Sequence, residues 1–366
     1  MALAAALTLL SIDPTMSQET SAAPGRQDRK PIVIAHRGAS GYLPEHTLAA
    51  YAIAMLQGAD FIEPDLVMTK DGQLIARHDN VLDLTTDVAA HPEFASRRTA
   101  KIVDGHSHTG WFSEDFTVAE IKRLRAIERI PGVRPANARF DRQFEVPTLA
   151  EIIDLVRANE KALGRPIGIY PETKHPTYFQ KLGLPMEEPL VKILHANGYD
   201  RQPERVYVQS FEIGNLKKLR GLTPIPLIQL LETRGRPADV TAAGGTLTYD
   251  QMATADGLRE IATYADGVGP EKYHFIIPRD ATGKLDPTQA TDFVRHAHAA
   301  GLKVHPWTFR AENQFLPADF RSSAGSIAPG DLDREIRAFL AAGIDGFFTD
   351  QSDVGVRARD AFVAGR

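Results

Sequence analysis

Residues 31–66 read PIVIAHRGASGYLPEHTLAAYAIAMLQGADFIEPDL, and this stretch decides the fold. Residues 32–35 are a short apolar run rich in β-branched side chains, which is typical of a buried strand, and residues 61–66 are a second strand-like run that begins with Phe61 and Ile62. Between them, residues 47–56 carry apolar side chains in a helical pattern. A strand, a helix and a second strand in this order predict a β-α-β unit whose two strands are parallel.

The same alternation continues to the end of the chain. Further strand-like runs are residues 74–77, 167–170, 206–209, 225–230, 267–269, 302–305 and 346–348. Helical patterns lie between most of them, at residues 149–159, 189–197, 212–219, 255–264, 287–300 and 331–342. Strand followed by helix about seven or eight times in a chain of 366 residues predicts an α/β fold, and a closed (β/α)8 TIM barrel fits this length best.

Residues typical of helix ends lie at the boundaries of these predicted helices. Thr148 precedes one helical pattern and Glu151 follows three residues later, which is the spacing of a capping box. Gly198, Gly301 and Gly343 come just past predicted helix ends, where a left-handed residue is favoured. The expected boundaries therefore rest on local chemistry as well as on periodicity.

Residues 79–146 interrupt the alternation. They follow the third strand-like run and are long, polar and irregular, with one predicted helix around residues 118–124. Long insertions in a barrel lie at a loop and often cover the active site. We therefore predict one barrel domain over residues 31–366 with an insertion at about 79–146, preceded by residues 1–30 as a signal-like or disordered segment.

Composition narrows the class of protein. Apolar residues make up 43% and charged residues 24%, as in soluble globular proteins with a sizeable core. The net charge of −5 argues against a nucleic-acid partner, which usually selects a basic surface. The chain has no cysteine, so disulfides, thiolate metal sites and a cysteine nucleophile are excluded. The oligomeric state is left open.

The first residues carry a weak targeting signal. Residues 2–10 are apolar and residues 21–23 are small, as in a secretory signal peptide, but the first basic residue is only Arg26. We expect a periplasmic or secreted protein, and a cytoplasmic one if this segment is a disordered tail instead. Nine apolar residues are too few to span a bilayer, so stable membrane insertion is not expected.

Polar side chains follow nearly every predicted strand. In a TIM barrel the carboxyl ends of the strands form one rim, and the active site lies there. The residues that reach this rim are His36, Arg37, Glu63, Asp65, His78, Glu172, Lys174, Gln209, Phe211, Gln229, His305, Trp307 and Asp350. Phe211 and Trp307 would form an apolar wall or belong to the core.

Three carboxylates at this rim predict a metal site. Glu63 and Asp65 are two residues apart on a strand and so point the same way. Alone they could equally mark a solvent-facing strand edge, but Glu172 occupies an equivalent place on another strand. Converging carboxylates repel one another unless a hard cation such as Ca²⁺ or Mg²⁺ binds between them. We expect one divalent cation, Ca²⁺ in preference to Mg²⁺.

Two histidines and two cations complete the predicted site. A lone histidine is usually a core or surface residue, but His36 and His78 both lie at strand ends beside carboxylates and can exchange protons near neutral pH. Arg37 offers a planar fork for phosphate oxygens, and Lys174 adds a point charge. His46, His195, His296 and His298 fall on helical patterns and are interpreted as surface or interface residues. His106 and His108 could bind a metal, although a solvated loop is the simpler interpretation.

The motifs closely resemble those of the glycerophosphodiester phosphodiesterase family, and most nearly its bacterial periplasmic branch. The matching segments are IAHRGASGYLPEHT at 34–47, GAD at 58–60, EPD at 63–65, HD at 78–79, IYPETK at 169–174, VQSF at 208–211, YADGVGP at 264–270, VHP at 304–306 and GFFTD at 346–350. The resemblance thus extends over almost everything after residue 31.

This resemblance implies a TIM barrel with a small insertion after the third strand. It implies a Ca²⁺ or Mg²⁺ site on Glu63, Asp65 and Glu172, and His36 with His78 as the acid–base pair. It also implies that Arg37 and Lys174 hold the phosphate, with Glu45 close to the metal or orienting its loop. Gln209, Phe211 and Trp307 are the remaining expected substrate contacts. The implied products are sn-glycerol 3-phosphate and an alcohol such as choline or ethanolamine.

Two features depart from the family pattern. Pro64 stands between two of the carboxylates and lacks the N–H that a strand ladder uses. We therefore expect the ladder to be edge-like or to end there. Residues 233–248 are rich in Gly, Arg and Thr and do not align with confidence, so this segment is a candidate for altering the choice of alcohol.

The sequence leaves the nucleophile and two rival functions open. The attacking group is either the neighbouring glycerol hydroxyl, which gives a cyclic phosphate that water then opens, or water itself. One rival is a barrel phosphodiesterase that acts on lipids, of the phosphoinositide phospholipase C or sphingomyelinase D type. That class needs a lipid-contacting surface, whereas the aromatic residues of 79–146 are dispersed in sequence. The other rival is a binding protein on the same barrel.

Overall fold

The computed structural model describes residues 30–365, so the predicted signal-like segment lies outside the described residues except for Lys30. Within them, eight parallel strands follow one another around the (β/α)8 architecture that the sequence predicts. Two of these strands are each split by a proline. The strands are Ile32–His36, Phe61–Glu63 with Asp65–Met68, Gly168–Ile169 with Glu172–Thr173, Val208–Ser210, Leu227–Leu231, Gly267–Pro270, Lys303–Val304 and Gly346–Thr349.

The ladders of the described strands form two arcs instead of one continuous sheet. The change of arc falls at Pro64 and Pro171, because neither residue has an N–H to donate. Their carbonyls still accept hydrogen bonds from the next strand, from Glu172 N to Pro64 O at 2.9 Å and from Gln209 N to Pro171 O at 3.0 Å. The break predicted at Pro64 therefore occurs, and the strand direction is kept across it.

The last two barrel strands, Lys303–Val304 and Gly346–Thr349, are joined by single hydrogen bonds and not by a ladder. Asp345 N donates to Val304 O at 2.9 Å, and Phe348 N donates to Pro306 O at 3.1 Å. Below the strand ends the interior is filled by large side chains, namely Ile34, Phe61, Tyr170, Tyr207, Ile228 and Phe348. The barrel is thus a packed core whose polar residues gather at one end.

Helices cover the outside of the strands. They are Leu48–Leu56, Leu149–Leu163, Pro176–Lys181, Glu187–Ala196, Ile213–Leu222, Ala238–Ala242, Tyr249–Met252, Ala255–Ile261, Lys272–Phe275, Phe293–Ala299, Leu332–Ala341 and Ser352–Ala364. The predicted helix at 287–300 was too long, since Pro287–Gln289 forms a separate 3-10 turn. Ser352–Ala364 was not predicted, because charged residues and a glycine interrupt its apolar pattern.

The predicted helix boundaries are confirmed where local chemistry sets them. Thr148 and Glu151 form the expected capping box. Gly198, Gly301 and Gly343 all have left-handed backbone, with φ of 80°, 87° and 92°. These positions need no tertiary information, because the side chain or the backbone freedom of one residue decides them.

The third strand in chain order is not a barrel strand. Leu74–Ala76 pairs antiparallel with Asp65–Met68 and forms a hairpin on the second barrel strand. The insertion follows it as predicted. It contains Val88–Ala90, Pro92–Arg97, the hairpin Thr99–Val103 and His106–Gly110, Ser113–Asp115, Val118–Ile121 and Pro135–Ala138.

The insertion packs its apolar side chains onto the main hydrophobic core, which includes Phe94, Trp111 and Phe116. Phe94, Trp111, Phe112 and Phe116 are all buried, and the rings of Phe94 and Phe116 meet edge to face at 5.0 Å. These aromatic residues are dispersed in sequence but gathered in space. They face inward, so they contribute no exposed aromatic patch. No helix within residues 30–365 is long and apolar enough to cross a membrane.

Candidate active site

The strand register brings the three predicted metal ligands together. His36 lies opposite Glu63 on the neighbouring strand, Asp65 opposite Glu172, and Glu172 opposite Gln209. Glu63, Asp65 and Glu172 offer oxygens within 4.8 Å of one another, and among residues 30–365 no other such group of three is found. We refer to these three residues as the carboxylate trio. All three are buried.

Mutual repulsion is visible in the acidity of the carboxylate trio. Burial together with Asp65 and Glu172 raises the pKa of Glu63 well above its usual value. Burial and Asp65 raise the pKa of Glu172 to about 8, against the opposing effect of Lys174. Burial acts on Asp65 in the same sense, but Arg37 overrides it and holds the pKa of Asp65 well below normal. Without a cation, the trio holds its negative charge at a cost.

The donor set suits a hard divalent cation. Besides the carboxylate trio, the Oε1 atom of Gln209 is buried and accepts no hydrogen bond. Gln209 Nε2 donates to Glu63 Oε1 at 3.2 Å, which turns its amide toward the trio. Oxygen ligands from carboxylates and amides are the ones that Ca²⁺ and Mg²⁺ prefer. Glu63, Asp65 and Glu172 could therefore hold such an ion.

The side chain of His46 contacts Asp65 of the carboxylate trio. Its Nε2 lies 2.9 Å from Asp65 Oδ2 and its Nδ1 lies 2.8 Å from the Tyr51 hydroxyl. The interpretation of His46 as a surface or interface residue was wrong, since the side chain is fully buried. The residue precedes the helix at Leu48–Leu56 and has left-handed backbone, so the helical pattern did not apply to it.

Arg37 is held by its backbone as well as by its side chain. It has φ of 59°, and its N–H donates to Glu63 Oε2 at 2.8 Å. The next residue, Gly38, has φ of 83° and lies so close to the following helix that a Cβ would be 2.7 Å from the carbonyl carbon of Ala50. The guanidinium of Arg37 lies 3.3 Å from Asp65 and 3.1 Å from Glu45.

Glu45 is a partner of arginines. Arg129 from the insertion donates to it through Nε and Nη2, at 3.0 and 2.8 Å, and Arg37 donates from the other side. Burial would raise the pKa of Glu45, but Arg129 and Arg37 hold it well below normal. Of its predicted roles, orientation of Arg37 and its loop agrees with these contacts.

His36 is oriented by a carboxylate on its Nδ1 atom. Asp350 Oδ1 lies 2.6 Å away, at the end of the last barrel strand. Arg134, another residue of the insertion, donates to Asp350 Oδ2 at 2.6 Å and also pairs with Glu312. Burial and the neighbouring Arg37 lower the pKa of His36 to about 4, while Asp350 opposes this shift.

His78 has the same arrangement. Its Nδ1 lies 3.0 Å from Asp79 Oδ1, and Arg129 donates to the other oxygen of Asp79 at 2.7 Å. Its Nε2 lies 3.3 Å from Lys174 Nζ. Burial, Arg37 and Lys174 lower the pKa of His78 to about 3, against the opposing effect of Asp79.

The remaining predicted contacts lie along one side of the site. Lys174 Nζ is 3.0 Å from Glu172 and 5.6 Å from the centre of the Phe211 ring. Phe211 and Trp307 meet edge to face at 6.0 Å. Both rings are partly buried and pack against the core, and their role as an apolar wall for the substrate stays a prediction.

Sequence reasoning missed the residues that support the histidines. Asp79 and Asp350 were recognised only as motif or strand-end residues, and Arg129 and Arg134 were not singled out at all. The two arginines lie in an irregular segment with no periodicity to place them. By contrast, His106 and His108 lie on the exposed hairpin of the insertion and belong to no carboxylate or histidine cluster within residues 30–365.

Fold and site together define a TIM-barrel enzyme with an acidic metal-type centre and two carboxylate-supported histidines. Comparison with known proteins narrows this class. The glycerophosphoryl diester phosphodiesterase family model matches residues 36–354. The chain belongs to this family and is a glycerophosphodiester phosphodiesterase.

Individual relatives agree along most of the chain. Glycerophosphodiester phosphodiesterase GDPD6 of Arabidopsis thaliana is 36% identical, with 88% of this chain and 84% of the relative covered. The glycerophosphodiester phosphodiesterase of Haemophilus influenzae is 34% identical, with 89% and 88% covered. Among solved structures, a glycerophosphoryl diester phosphodiesterase from Silicibacter pomeroyi shares the fold with a TM-score of 0.62 at 22% identity, covering 91% of this chain and 94% of that one.

A second solved structure carries a ligand. It is an Oleispira antarctica phosphodiesterase in complex with the product sn-glycerol-3-phosphate, with a TM-score of 0.53 at 20% identity, covering 90% of this chain and 97% of that one. At this identity the likeness concerns the fold. The complex belongs to that protein.

Proposed function

We propose that this enzyme hydrolyses glycerophosphodiesters such as glycerophosphocholine and glycerophosphoethanolamine to sn-glycerol 3-phosphate and an alcohol. In this proposal the reaction depends on one divalent cation, Ca²⁺ in preference to Mg²⁺, on Glu63, Asp65 and Glu172. His36 and His78 exchange the protons. The product bound to the Oleispira antarctica phosphodiesterase supports the choice of products.

The observation that carries this proposal is the pairing of each histidine with a carboxylate. Asp350 accepts from Nδ1 of His36 and Asp79 from Nδ1 of His78. A carboxylate on Nδ1 fixes the tautomer and places the lone pair on Nε2, where it can take a proton; in His78 this lone pair faces Lys174 Nζ at 3.3 Å. Two such histidines beside one acidic centre provide a base and an acid.

The cations and the acidic centre have a separate task. Arg37 and Lys174 would bind and orient the phosphate oxygens, since both side chains are held by carboxylates at the rim. A divalent ion on the carboxylate trio would supply further positive charge for the phosphoryl oxygens. The barrel interior below the site is packed, so substrate would enter from the strand ends.

The histidines would act in sequence on the bridging oxygens. One Nε2 accepts the proton of the attacking hydroxyl, from glycerol or from water, as the new P–O bond forms. The other Nε2, in its protonated form, donates a proton to the leaving alkoxide as the old P–O bond breaks. The histidine that faces the attacking hydroxyl in the substrate complex is the base, and the one that faces the leaving oxygen is the acid.

Substitution of either histidine tests this proposal. We expect His36→Ala and His78→Ala to lower kcat on glycerophosphocholine by about 10²–10⁴-fold, because each removes a general acid or base. Alcohol release is followed with excess Ca²⁺, and circular dichroism checks that the variants fold. His195→Ala, at the end of an outer helix, is the matched control and should keep full activity.

Near-full turnover by either site variant would contradict the acid–base assignment. Lysophosphatidylcholine is assayed in parallel, because faster turnover of this lipid would favour the phospholipase-type alternative. Absence of turnover on every diester, before and after metal addition, would favour a binding protein.

Periplasmic or secreted localisation remains a separate proposal. It rests on the apolar residues 2–10 and the small residues 21–23, which lie outside the described part of the chain. Fractionation of cells that express the chain with and without residues 1–30 tests it. Activity in the periplasmic fraction only when residues 1–30 are present supports export, and equal cytoplasmic activity of both forms contradicts it.

A further inference from the structure

A cavity of about 410 Å³ opens beside the active site. Glu172 and Lys174 form its border with the metal-type centre, and the rings of Phe211 and Tyr249 form one wall, meeting edge to face at 6.2 Å. The cavity also includes part of residues 233–248, the segment whose sequence departs from the family pattern. Its volume falls in the range of small-molecule sites.

The wall away from the phosphate-binding residues is acidic. Asp104, Glu212 and Glu232 line it, and the sole arginine among its lining residues, Arg236, is exposed and donates to Gly245 O at 3.0 Å. Lys174 is already paired with Glu172 at 3.0 Å. Asp104 lies 2.5 Å from Nδ1 of His175, which also lines the cavity, so Glu212 and Glu232 are the lining carboxylates in excess of the basic groups.

Glu212 points to a ligand in this cavity. It is only 3% exposed, and its Oε2 accepts from Thr177 N at 3.0 Å. Its Oε1 is buried without a hydrogen-bond partner. A buried carboxylate oxygen left in this way destabilises the empty site, and a cation or a donor in the cavity would relieve it.

The raised pKa values of two residues that line the cavity agree with a negative electrostatic potential inside it. Burial raises the pKa of Glu212 to about 8, with Asp104 and Asp239 adding to the shift. Burial also raises the pKa of Tyr249, and Glu232, Asp239, Glu212 and Asp104 all act in the same direction. Four carboxylates thus act on the face of the cavity that carries the aromatic ring.

Resting on the function proposed above, we propose that this cavity binds the leaving alcohol and selects alcohols that carry an ammonium group over uncharged ones. The faces of Phe211 and Tyr249 attract an ammonium group through their π electrons. The carboxylate of Glu232 adds attraction that an uncharged alcohol does not feel, and a bound ammonium group would favour the ionised form of Glu212. The diester would lie with its phosphate at Arg37 and Lys174 and its alcohol in the cavity.

Two diesters and two variants test this selectivity. The wild-type enzyme should have a higher kcat/KM for glycerophosphocholine than for glycerophosphoglycerol, whose alcohol is uncharged. Both Glu212→Gln and Glu232→Gln keep an acceptor oxygen but remove a group that can be ionised beside an ammonium ion, and each should lower that ratio by about three- to tenfold. Glu204→Gln, at an exposed carboxylate that does not line the cavity, is the matched control and should leave the ratio unchanged.

Binding of choline alone gives a readout that does not need turnover. Calorimetry should detect choline binding to the wild-type protein, no binding of glycerol at the same concentration, and weaker choline binding to both variants. Equal kcat/KM for the two diesters, equal losses on both diesters in the variants, or choline binding that the variants leave unchanged would overturn the subsite. If no diester is hydrolysed, the proposed function fails, and the calorimetry still decides whether the cavity binds an ammonium group.

Discussion

His36 and His78 reach the site from different strands, yet the same chain of contacts holds both. A carboxylate, Asp350 or Asp79, contacts Nδ1 of each histidine, and an arginine of the insertion contacts that carboxylate. Arg134 serves the first pair and Arg129 the second. Both arginines also bind a further glutamate. The insertion therefore contributes to the geometry of the site although it supplies neither of the two proposed proton-transfer residues.

Arg129 offers a direct test of this contribution. Arg129→Met would release Asp79 and Glu45, so His78 and Arg37 would both lose part of their support. We expect kcat on glycerophosphocholine to fall about 10–100-fold with little change in KM, because misplaced groups slow the chemical step. Arg129→Lys should restore part of the loss, and Arg139→Met, at an exposed position of the insertion, should have no effect. An unchanged kcat in Arg129→Met would contradict this role.

His46 is a further residue to test, because its side chain contacts Asp65, one of the proposed metal ligands. In His46→Asn the residue keeps a side chain that tolerates left-handed backbone, but it becomes too short to reach Asp65. Loss of such a supporting hydrogen bond typically weakens metal affinity about 10–100-fold. Calorimetric titration with Ca²⁺ measures the change, with His195→Asn as the control. Equal affinities for Ca²⁺ in wild-type and His46→Asn protein would show that Asp65 needs no such support.

At the scale of elements, the turn after the first strand depends on one close approach. Gly38 and Gly72 both have positive φ, at 83° and 73°, but a Cβ at Gly72 would meet nothing within 4 Å. Comparison of these two glycines separates the cost of left-handed backbone from the cost of steric crowding, because only Gly38 lies against the helix at Leu48–Leu56.

We expect Gly72→Ala to lower the free energy of unfolding by about 1–2 kcal/mol, the cost of left-handed backbone in an alanine. Gly38→Ala should lower it by about a further 1–3 kcal/mol, since the methyl group overpacks the contact with Ala50. Urea unfolding measures both variants. Equal losses in the two variants would mean that the close approach has no energetic weight.

The elements that sequence predicts well are those decided locally. The capping box at Thr148, the left-handed glycines and the parallel strands all follow from short-range preferences and from apolar periodicity. Leu74–Ala76 was predicted as a strand, but its antiparallel partner depends on a tight turn and on which sheet edge is free. The carboxylate trio was predictable from strand ends, whereas His46, Arg129 and Arg134 approach from loops that only the tertiary structure places.

Considered as a whole molecule, the barrel keeps three carboxyl groups close together in its rim. The carboxylates of the trio lie within 4.8 Å of one another and are buried, which favours function over stability. Resemblance of the motifs supplied the substrate class, and the structure adds the acidic cavity beside Phe211 and the support from the insertion. Neither the acidic cavity nor the support from the insertion could be predicted from the residues at strand ends, because both depend on segments without a regular apolar pattern.

Because the carboxylate trio costs stability without metal, we expect Glu172→Gln to raise the stability of the metal-free protein and to lower that of the metal-bound protein. In EDTA the variant should be more stable than the wild-type protein, because wild-type Glu172 must either take up a proton on folding or hold its charge beside the other two carboxylates. Ca²⁺ at about 100 times its Kd should stabilise the wild-type protein by about 2.7 kcal/mol and the variant far less. Thermal unfolding in EDTA and in Ca²⁺ measures both effects. A variant that is less stable in EDTA and responds to Ca²⁺ like the wild-type protein would contradict the metal site.

The position of a bound ion tests the central claim most directly. A crystal soaked with Ca²⁺ and sn-glycerol 3-phosphate, with the ion located by its anomalous signal, should show it in contact with Glu63, Asp65 and Glu172, with phosphate oxygens beside Arg37 and Lys174. An ion coordinated elsewhere, for instance by His106 and His108 on the exposed hairpin, while the carboxylate trio binds none, would contradict the account.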